Sequence, residues 1–345
     1  MYSKYIKSHL VAISVVTLGI SAPTDSSSAK ELTMSVWVPR THAINTKMLT
    51  PWAAQVKEAT SGRVSIRTLP KKVAGSKQHF NAIRDGLADV TFIVHGYTPG
   101  RFVLTKGVEL PFLADDGVSL SVAYWRMHNR MLAAKDEHKG VKLLSLFTQG
   151  PGAIFSATKP IDTLASLKGM KIRVGGAARD VTKAIGAVPV SKPVSQLYEL
   201  MSKGVTDGVI VPKETVVSFK IDKVIKWGVI VPGGVYRAGF ALIMNNGKFD
   251  GLSATDRQAV SKVSGEAFAR LSGLAWDAAD SYGEKKMREA GIKLSTASPA
   301  MTAAIKQRTS GMEGAWIASA KKKGIDGAAF LAALRAEVKK VAGGS

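Results

Sequence analysis

The chain has 345 residues, 48 Lys and Arg against 26 Asp and Glu, a net charge of +22, and no cysteine. The absence of cysteine excludes disulfides, thiolate metal sites and cysteine nucleophiles. The basic residues are scattered, with no run longer than Lys321-Lys322-Lys323. That pattern reads as a solvated surface that attracts acidic ligands or an anionic membrane, and not as a nucleic-acid footprint.

Residues 1–29 read as a signal peptide. Lys4 and Lys7 form a basic start, residues 10–20 are apolar, and Ser27 and Ala29 suit the −3 and −1 positions of a cleavage site. The apolar run is about half of the roughly 20 residues a membrane span needs. An uncleaved anchor is the alternative. The length that remains favours two lobes.

The rest of the chain alternates strand and helix patterns. Leu32, Met34, Val36 and Val38 alternate with Thr33, Ser35 and Trp37, a period-2 strand. Met48, Trp52, Val56 and Ala59 recur at helical spacing, closed by Gly62, and Val64 and Ile66 begin a second strand. Phe80, Ile83 and Leu87 mark a helix ahead of apolar residues 90–94, and residues 141–147 read as a further strand. A second alternation starts near residue 150. Met170, Ile172 and Val174 flank Lys171 and Arg173 on a strand that ends at Gly175-Gly176. Helices follow around Val181 and Ile185, and around Leu197, Leu200 and Met201; residues 209–211 form a strand stopped by Pro212. Residues 253–290 then carry one stripe, Val260, Val263, Ala267, Leu271, Leu274 and Ala278. As a single helix that segment would exceed about 50 Å.

These patterns predict an α/β protein of two hinged lobes with a long helix spanning both, and a ligand cleft at the strand C-termini. The expected division is lobe I over 30–150 with about 239–280 returning to it, and lobe II over 151–238 with about 281–345 completing it.

Catalytic motifs are missing: no G-x-S-x-G elbow, H-E-x-x-H helix, Walker A loop or G-x-G-x-x-G fingerprint occurs. Gly175-Gly176 fits a tight turn or an anion-facing helix start. Asp136-Glu137-His138 sits in a lysine-rich stretch and reads as a solvated cluster, with a metal site as the alternative. Arg173 stands out. Its planar fork of donors matches a carboxylate, and such charge-assisted bonds contribute about 1.5–3 kcal/mol. On pattern alone it also fits an edge strand facing solvent.

Several blocks in order resemble the extracytoplasmic solute-binding proteins of TRAP (tripartite ATP-independent periplasmic) transporters. They are Ser61-Gly62-Arg63-Val64, Arg84-Asp85-Gly86-Leu87-Ala88-Asp89-Val90, Leu110-Pro111-Phe112-Leu113 and Lys159-Pro160-Ile161, then Leu167-Lys168-Gly169-Met170-Lys171-Ile172-Arg173-Val174. Gly186-Ala187-Val188-Pro189-Val190, Tyr198 and Gly204-Val205-Thr206-Asp207-Gly208 follow. The resemblance covers nearly all of the chain after residue 30. It implies a two-lobed fold that captures organic acids in the periplasm, closes over them and passes them to integral-membrane permease subunits.

Arg173 falls on the family's signature arginine, which pairs with the ligand carboxylate. The resemblance further implies ligand contacts at Pro39, Arg40, His42 and Tyr97 from the first lobe, and at Phe155, Val194, Pro212 and Tyr236 from the second lobe and hinge. Each also has a plain structural reading, as strand terminators (Pro39, Pro212), core (Phe155, Val194) or hinge packing (Tyr236). Glu214 adds a polar contact in the cleft, or forms an exposed ion pair with Lys213. The resemblance also implies a second arginine at about Ala153 in sialic-acid-binding relatives and an asparagine at Val211 in many relatives, and both positions are apolar here. That departure predicts a less polar monocarboxylate, aromatic or branched. No cofactor, metal or nucleic acid is expected, and the protein is expected to be a periplasmic monomer. The competing readings are the binding subunit of an ATP-driven importer, and an exported α/β enzyme using His42 or Glu214.

Overall fold

The computed structural model describes Met1 and residues 29–344, so the signal-peptide reading lies almost wholly outside the described residues. Two sheets organise the chain. The first contains β1 (Lys30–Met34), β2 (Val64–Thr68), β3 (Val90–Val94), β4 (Val141–Thr148) and, from far along the chain, β10 (Gly239–Asn245). Its order is β2-β1-β3-β10-β4. β1 pairs parallel with β2 and β3, and β10 runs antiparallel between β3 and β4. The second contains β5 (Ala153–Ser156), β6 (Lys171–Val174), β7 (Val188–Ser191), β8 (Gly208–Val211), β9 (Trp227–Ile230) and β11 (Lys293–Thr296), in the order β11-β9-β5-β8-β6-β7.

Strands β3, β5 and β8 are buried at every position. Each is an interior strand of its sheet with both faces covered, so these strands read as unbroken apolar runs and not as alternations. β6 lies between β7 and β8, with Arg173 paired to Val190 on one side and Val209 on the other. It is an interior strand, and Arg173 is 2% exposed. The solvent-facing edge position is therefore excluded.

The chain passes between the lobes at residues 149–152 and again at 231–238. These crossings are hydrogen-bonded side by side: Gly152 N donates to Tyr236 O at 3.1 Å and Val235 N to Gly152 O at 3.0 Å. Two paired crossings make a hinge that bends without losing its backbone partners.

The long helix departs from expectation. Residues 253–290 form two helices, Ala254–Val263 and Gly265–Glu289, broken at Ser264. Gly265 sits at φ +52°, which ends the helical path, and Ser264 Oγ accepts the Trp52 indole N–H at 3.1 Å. A periodic apolar stripe continues through such a break, so the pattern did not reveal it. The second helix, about 37 Å long, still spans both lobes. It packs on β4 and the helix Gly117–Met127 of the first lobe and on the helix Lys213–Ser218 of the second. Glycines permit both approaches: a Cβ at Gly273 would collide with the Val118 backbone, and one at Gly283 with the Glu214 backbone.

The C-terminal segment also corrects the expected division. β11 and the helix Pro299–Thr309 pack on the second lobe, whereas the helices Gly311–Lys322 and Gly327–Ala342 pack on the first. Phe330, Leu331 and Leu334 are fully buried in the first-lobe core, and Trp316 Nε1 donates to Val103 O at 3.1 Å. Their apolar face needed a partner, and the helix Gly117–Met127 supplies it. No helix of the described residues is long and apolar enough to cross a membrane.

Candidate functional site

The strand C-termini of both lobes meet at one cleft. From the first lobe come Trp37 and His42, on the loop after β1, and Tyr97, on the turn His95–Tyr97 after β3. The second lobe supplies Arg173 on β6, Val211 at the end of β8, and Pro212 and Glu214 at the start of the next helix. The hinge crossings add Gln149 and Tyr236.

The Arg173 side chain is held from behind. Nε and Nη2 both donate to the backbone carbonyl of Lys192, at 3.0 and 2.6 Å, just past β7. These two hydrogen bonds fix the plane of the guanidinium, while Nη1 has no acceptor among the described residues and the side chain lines the cavity. Among the described residues no carboxylate lies within ion-pair distance of it. A buried cation without a counter-charge is costly. The neighbouring buried arginine differs. Arg237 donates to Gln149 O and Ala114 O, lies in the field of Asp280, Asp116, Asp277 and Asp115, and is lowered to about 10 by burial. Arg237 ties the hinge together; Arg173 faces the cavity.

Polar groups gather around Arg173. Tyr97 Oη accepts the Val194 N–H at 3.0 Å, which leaves its own O–H free to donate. Gln149 Nε2 is buried without an acceptor. Burial raises the Tyr236 hydroxyl above its ordinary range, so it remains a neutral donor. Apolar walls complete the cleft: Val94, Val211, Phe219, Phe240, Trp276 and Trp37, whose ring stacks on Phe92 with centroids 4.8 Å apart. Val211 pairs in register with Ala153, which shares the Phe155 face of β5 and is buried in the second-lobe core, so of the two only Val211 lines the cavity.

At the far side of the cavity His42 faces Glu214, Nε2 to Oε2 3.6 Å. The separation is within ion-pair reach, yet the groups are not ionised as a pair. Burial lowers His42 to about 4 and pushes Glu214 up to about 7, the latter against the hydroxyls of Thr215 and Ser218 that donate to it. His42 Nδ1 accepts the Ile44 N–H at 3.1 Å, so the neutral ring carries its proton on Nε2. The Glu214 backbone N–H is bound by Asp280 Oδ1 at 2.8 Å, from the long helix, and burial raises Asp280 to about 7 as well.

The lobes touch across the cleft. A Cβ on Gly176 would overlap the Gly96 carbonyl oxygen, so closure depends on glycine at that position. The cavity measures about 50 Å³, roughly a third of the ~150 Å³ that accommodates benzene. Seating an aromatic ring takes outward movement of the walls, which the hinge allows.

Seven of the ten residues expected at the site line this cavity: Arg173, Tyr97, His42, Val194, Pro212, Glu214 and Tyr236. Three do not. Phe155 is fully buried in the second-lobe core against Gly228, on the strand face turned away from the cleft. Pro39 and Arg40 are exposed on an outer groove beside Ser195 and Phe219. Glu214 is not the exposed partner of Lys213, which pairs with Glu284 at 2.6 Å. Trp37, Gln149 and Trp276 line the cavity and carried no sequence signal. Trp37 fitted the outward half of a strand that in fact ends at Met34.

Asp136-Glu137-His138 is not a solvated cluster. His138 is 2% exposed with Nε2 3.0 Å from His95 Nε2, and Glu137 accepts the backbone N–H groups of Val103, Leu104 and Thr105. Among the described residues no group of three or more His, Cys, Asp or Glu is placed to hold a metal.

The sequence model described as DctP, bacterial extracellular solute-binding protein, family 7, matches residues 34–313. Among curated relatives, an outer membrane transporter protein, TsaT, of Comamonas testosteroni is 29% identical over 85% of this chain and 87% of its own length. A TRAP periplasmic solute-binding protein from Bordetella bronchiseptica, solved with bound (R)- and (S)-mandelate, is 46% identical with a TM-score of 0.88. That match covers 90% of this chain and 99% of the other. A TRAP solute-binding protein from Rhodoferax ferrireducens with copurified benzoate is 27% identical, with a TM-score of 0.85 over 90% of this chain and 98% of the other. A marine metagenome protein specific for aromatic acid ligands, solved with 3-hydroxybenzoate, is 30% identical, with a TM-score of 0.85 over 91% and 99%.

Proposed function

This chain belongs to the bacterial extracellular solute-binding proteins of family 7, the binding subunits of TRAP transporters, and we propose that it captures an aromatic monocarboxylate between its lobes. Arg173 carries this reading, as a buried guanidinium braced by Lys192 O with no counter-charge beside it among the described residues. The ligand carboxylate supplies the missing charge, and Tyr97, Gln149 and Tyr236 supply further donors. The remaining wall is aromatic and aliphatic, which suits a ring and not a polyhydroxylated chain. Mandelate and benzoate in the similar structures support the same class.

Binding closes the hinge, removes water from the ion pair and strengthens it. The closed form then presents the ligand to a two-subunit membrane permease after export to the periplasm, and the protein acts as a carrier without turnover. A thermal-shift screen of carboxylic acids tests the ligand class. At a hundredfold excess over Kd an acid stabilises the fold by about 2.7 kcal/mol, so aromatic monocarboxylates raise the melting temperature and hexuronates do not. No shift with any aromatic acid contradicts the proposal. Genes for a small and a large integral-membrane subunit beside this one support the permease partner, and an ATPase gene there contradicts it.

A further inference from the structure

The carboxylate end of the cleft leaves the His42–Glu214 end unexplained. Both side chains are nearly fully buried, at 3% and 4% exposure, and both open on the cavity. They come from opposite lobes. Arg173 pairs with Val209 on β8, and Val211 lies two residues, or roughly 7 Å, further along that strand. Glu214 follows three residues later, so the two polar ends are separated along the cleft. At 3.6 Å the Nε2–H of His42 is too far from Glu214 Oε2 for a hydrogen bond. Nδ1 accepts the Ile44 N–H, which places the ring proton on Nε2, and among the described residues that proton meets no acceptor within hydrogen-bond distance. Nearby, Trp276 Nε1 is buried without a partner, its ring edge-on to His42 at 6.0 Å.

We propose that His42 and Glu214 form a second polar subsite that reads a hydroxyl on the ligand ring, so that the preferred ligand is a ring-hydroxylated aromatic acid. This rests on the aromatic monocarboxylate reading and extends it. A phenolic hydroxyl is both donor and acceptor. Its oxygen accepts the His42 Nε2–H while its own proton is donated to Glu214 Oε2, and the contact joins the two lobes through the ligand. An unsubstituted ring leaves both groups facing each other without a bond. Sites built to bind a hydroxyl discriminate strongly against the analogue that lacks it. The neighbouring hydroxyls of Thr215 and Ser218 already donate to the Glu214 carboxyl, which orients Oε2 as an acceptor.

The test is a calorimetric comparison of benzoate, 3-hydroxybenzoate and 4-hydroxybenzoate on wild type, His42→Phe and Glu214→Leu. The readout is the affinity ratio of hydroxylated to parent acid within each protein, which cancels general effects of a substitution on closure. In wild type at least one hydroxybenzoate binds tenfold or more tighter than benzoate, and the ratio falls below about threefold in each variant that folds. The subsite is overturned if neither hydroxybenzoate is preferred by wild type, or if the preference survives either substitution. Arg173→Ala separates the two layers. Benzoate binding that depends on Arg173 with no hydroxyl preference overturns only the second subsite. No binding of any of the three acids overturns the aromatic reading and the subsite together.

Discussion

Tyr97, at the end of a first-lobe strand, accepts a hydrogen bond at 3.0 Å from the backbone N–H of Val194 in the second lobe. The bond exists only when the lobes are together, so it belongs to the closed state alone. Its donor is main chain, and no side-chain substitution at residue 194 other than proline removes it.

Tyr97→Phe deletes that bond and a donor to the ligand while keeping the ring beside Trp37. A net hydrogen bond contributes about 0.5–1.5 kcal/mol, so affinity falls by roughly 2- to 12-fold for each bond lost. The ligand-free melting temperature changes little. Calorimetric titration alongside a thermal melt checks both, and unchanged affinity removes Tyr97 from the closure account.

Gly176→Ala tests closure without touching a polar group. The added methyl meets the Gly96 carbonyl in the closed form and only solvent once the lobes part. Affinity is expected to drop tenfold or more, about 1.4 kcal/mol, through a faster off-rate. Stopped-flow dissociation reads this directly. An unaltered off-rate means that the lobes do not need to approach this closely.

The buried carboxyls set a pH signature. Burial pushes Glu214 from 4.5 to about 7, so the folded protein holds a proton there that the unfolded chain releases. The stability this provides is complete below about pH 4.5 and is lost as pH rises through 7. His42 has the opposite sign: lowered by burial from 6.5 to about 4, it provides stability above pH 6.5 that is lost as pH falls toward 4. Glu214→Gln removes the carboxyl slope and keeps the shape. Urea unfolding at pH 5 and pH 8 then shows the variant gaining on wild type at the higher pH, by up to about 3 kcal/mol. A difference independent of pH contradicts the raised Glu214.

How much was legible beforehand follows from how each residue signals itself. Arg173 was visible because a cation between Ile172 and Val174 is anomalous, and the ordered blocks around it gave the anomaly a role. Tyr97, His42 and Tyr236 lie outside those blocks and came only from the contacts that the family resemblance implies. Phe155 was misplaced because β5 is buried on both faces, and no alternation told the core side from the cleft side. Trp37 was missed because the strand pattern runs past the true end of β1. The Glu214 backbone is held by Asp280, 66 positions away, a contact that no local pattern encodes. The same holds for His95 and His138, far apart in sequence and 3.0 Å apart in the fold. The break at Ser264 leaves no trace in the pattern because the apolar stripe crosses it without a change of period.

The most direct test of the central claim is a calorimetric titration of wild type, Arg173→Ala and Arg173→Lys with an aromatic monocarboxylate. Truncating one partner of a buried charge pair costs about 2–5 kcal/mol, so Arg173→Ala binds at least about 30-fold more weakly. Lysine keeps the charge but not the fork braced on Lys192 O, and falls between the two. Both variants keep the wild-type fold, because among the described residues the guanidinium has no ion pair to lose, only its two hydrogen bonds to Lys192 O. Affinity within about threefold of wild type in Arg173→Ala would contradict the account at its base.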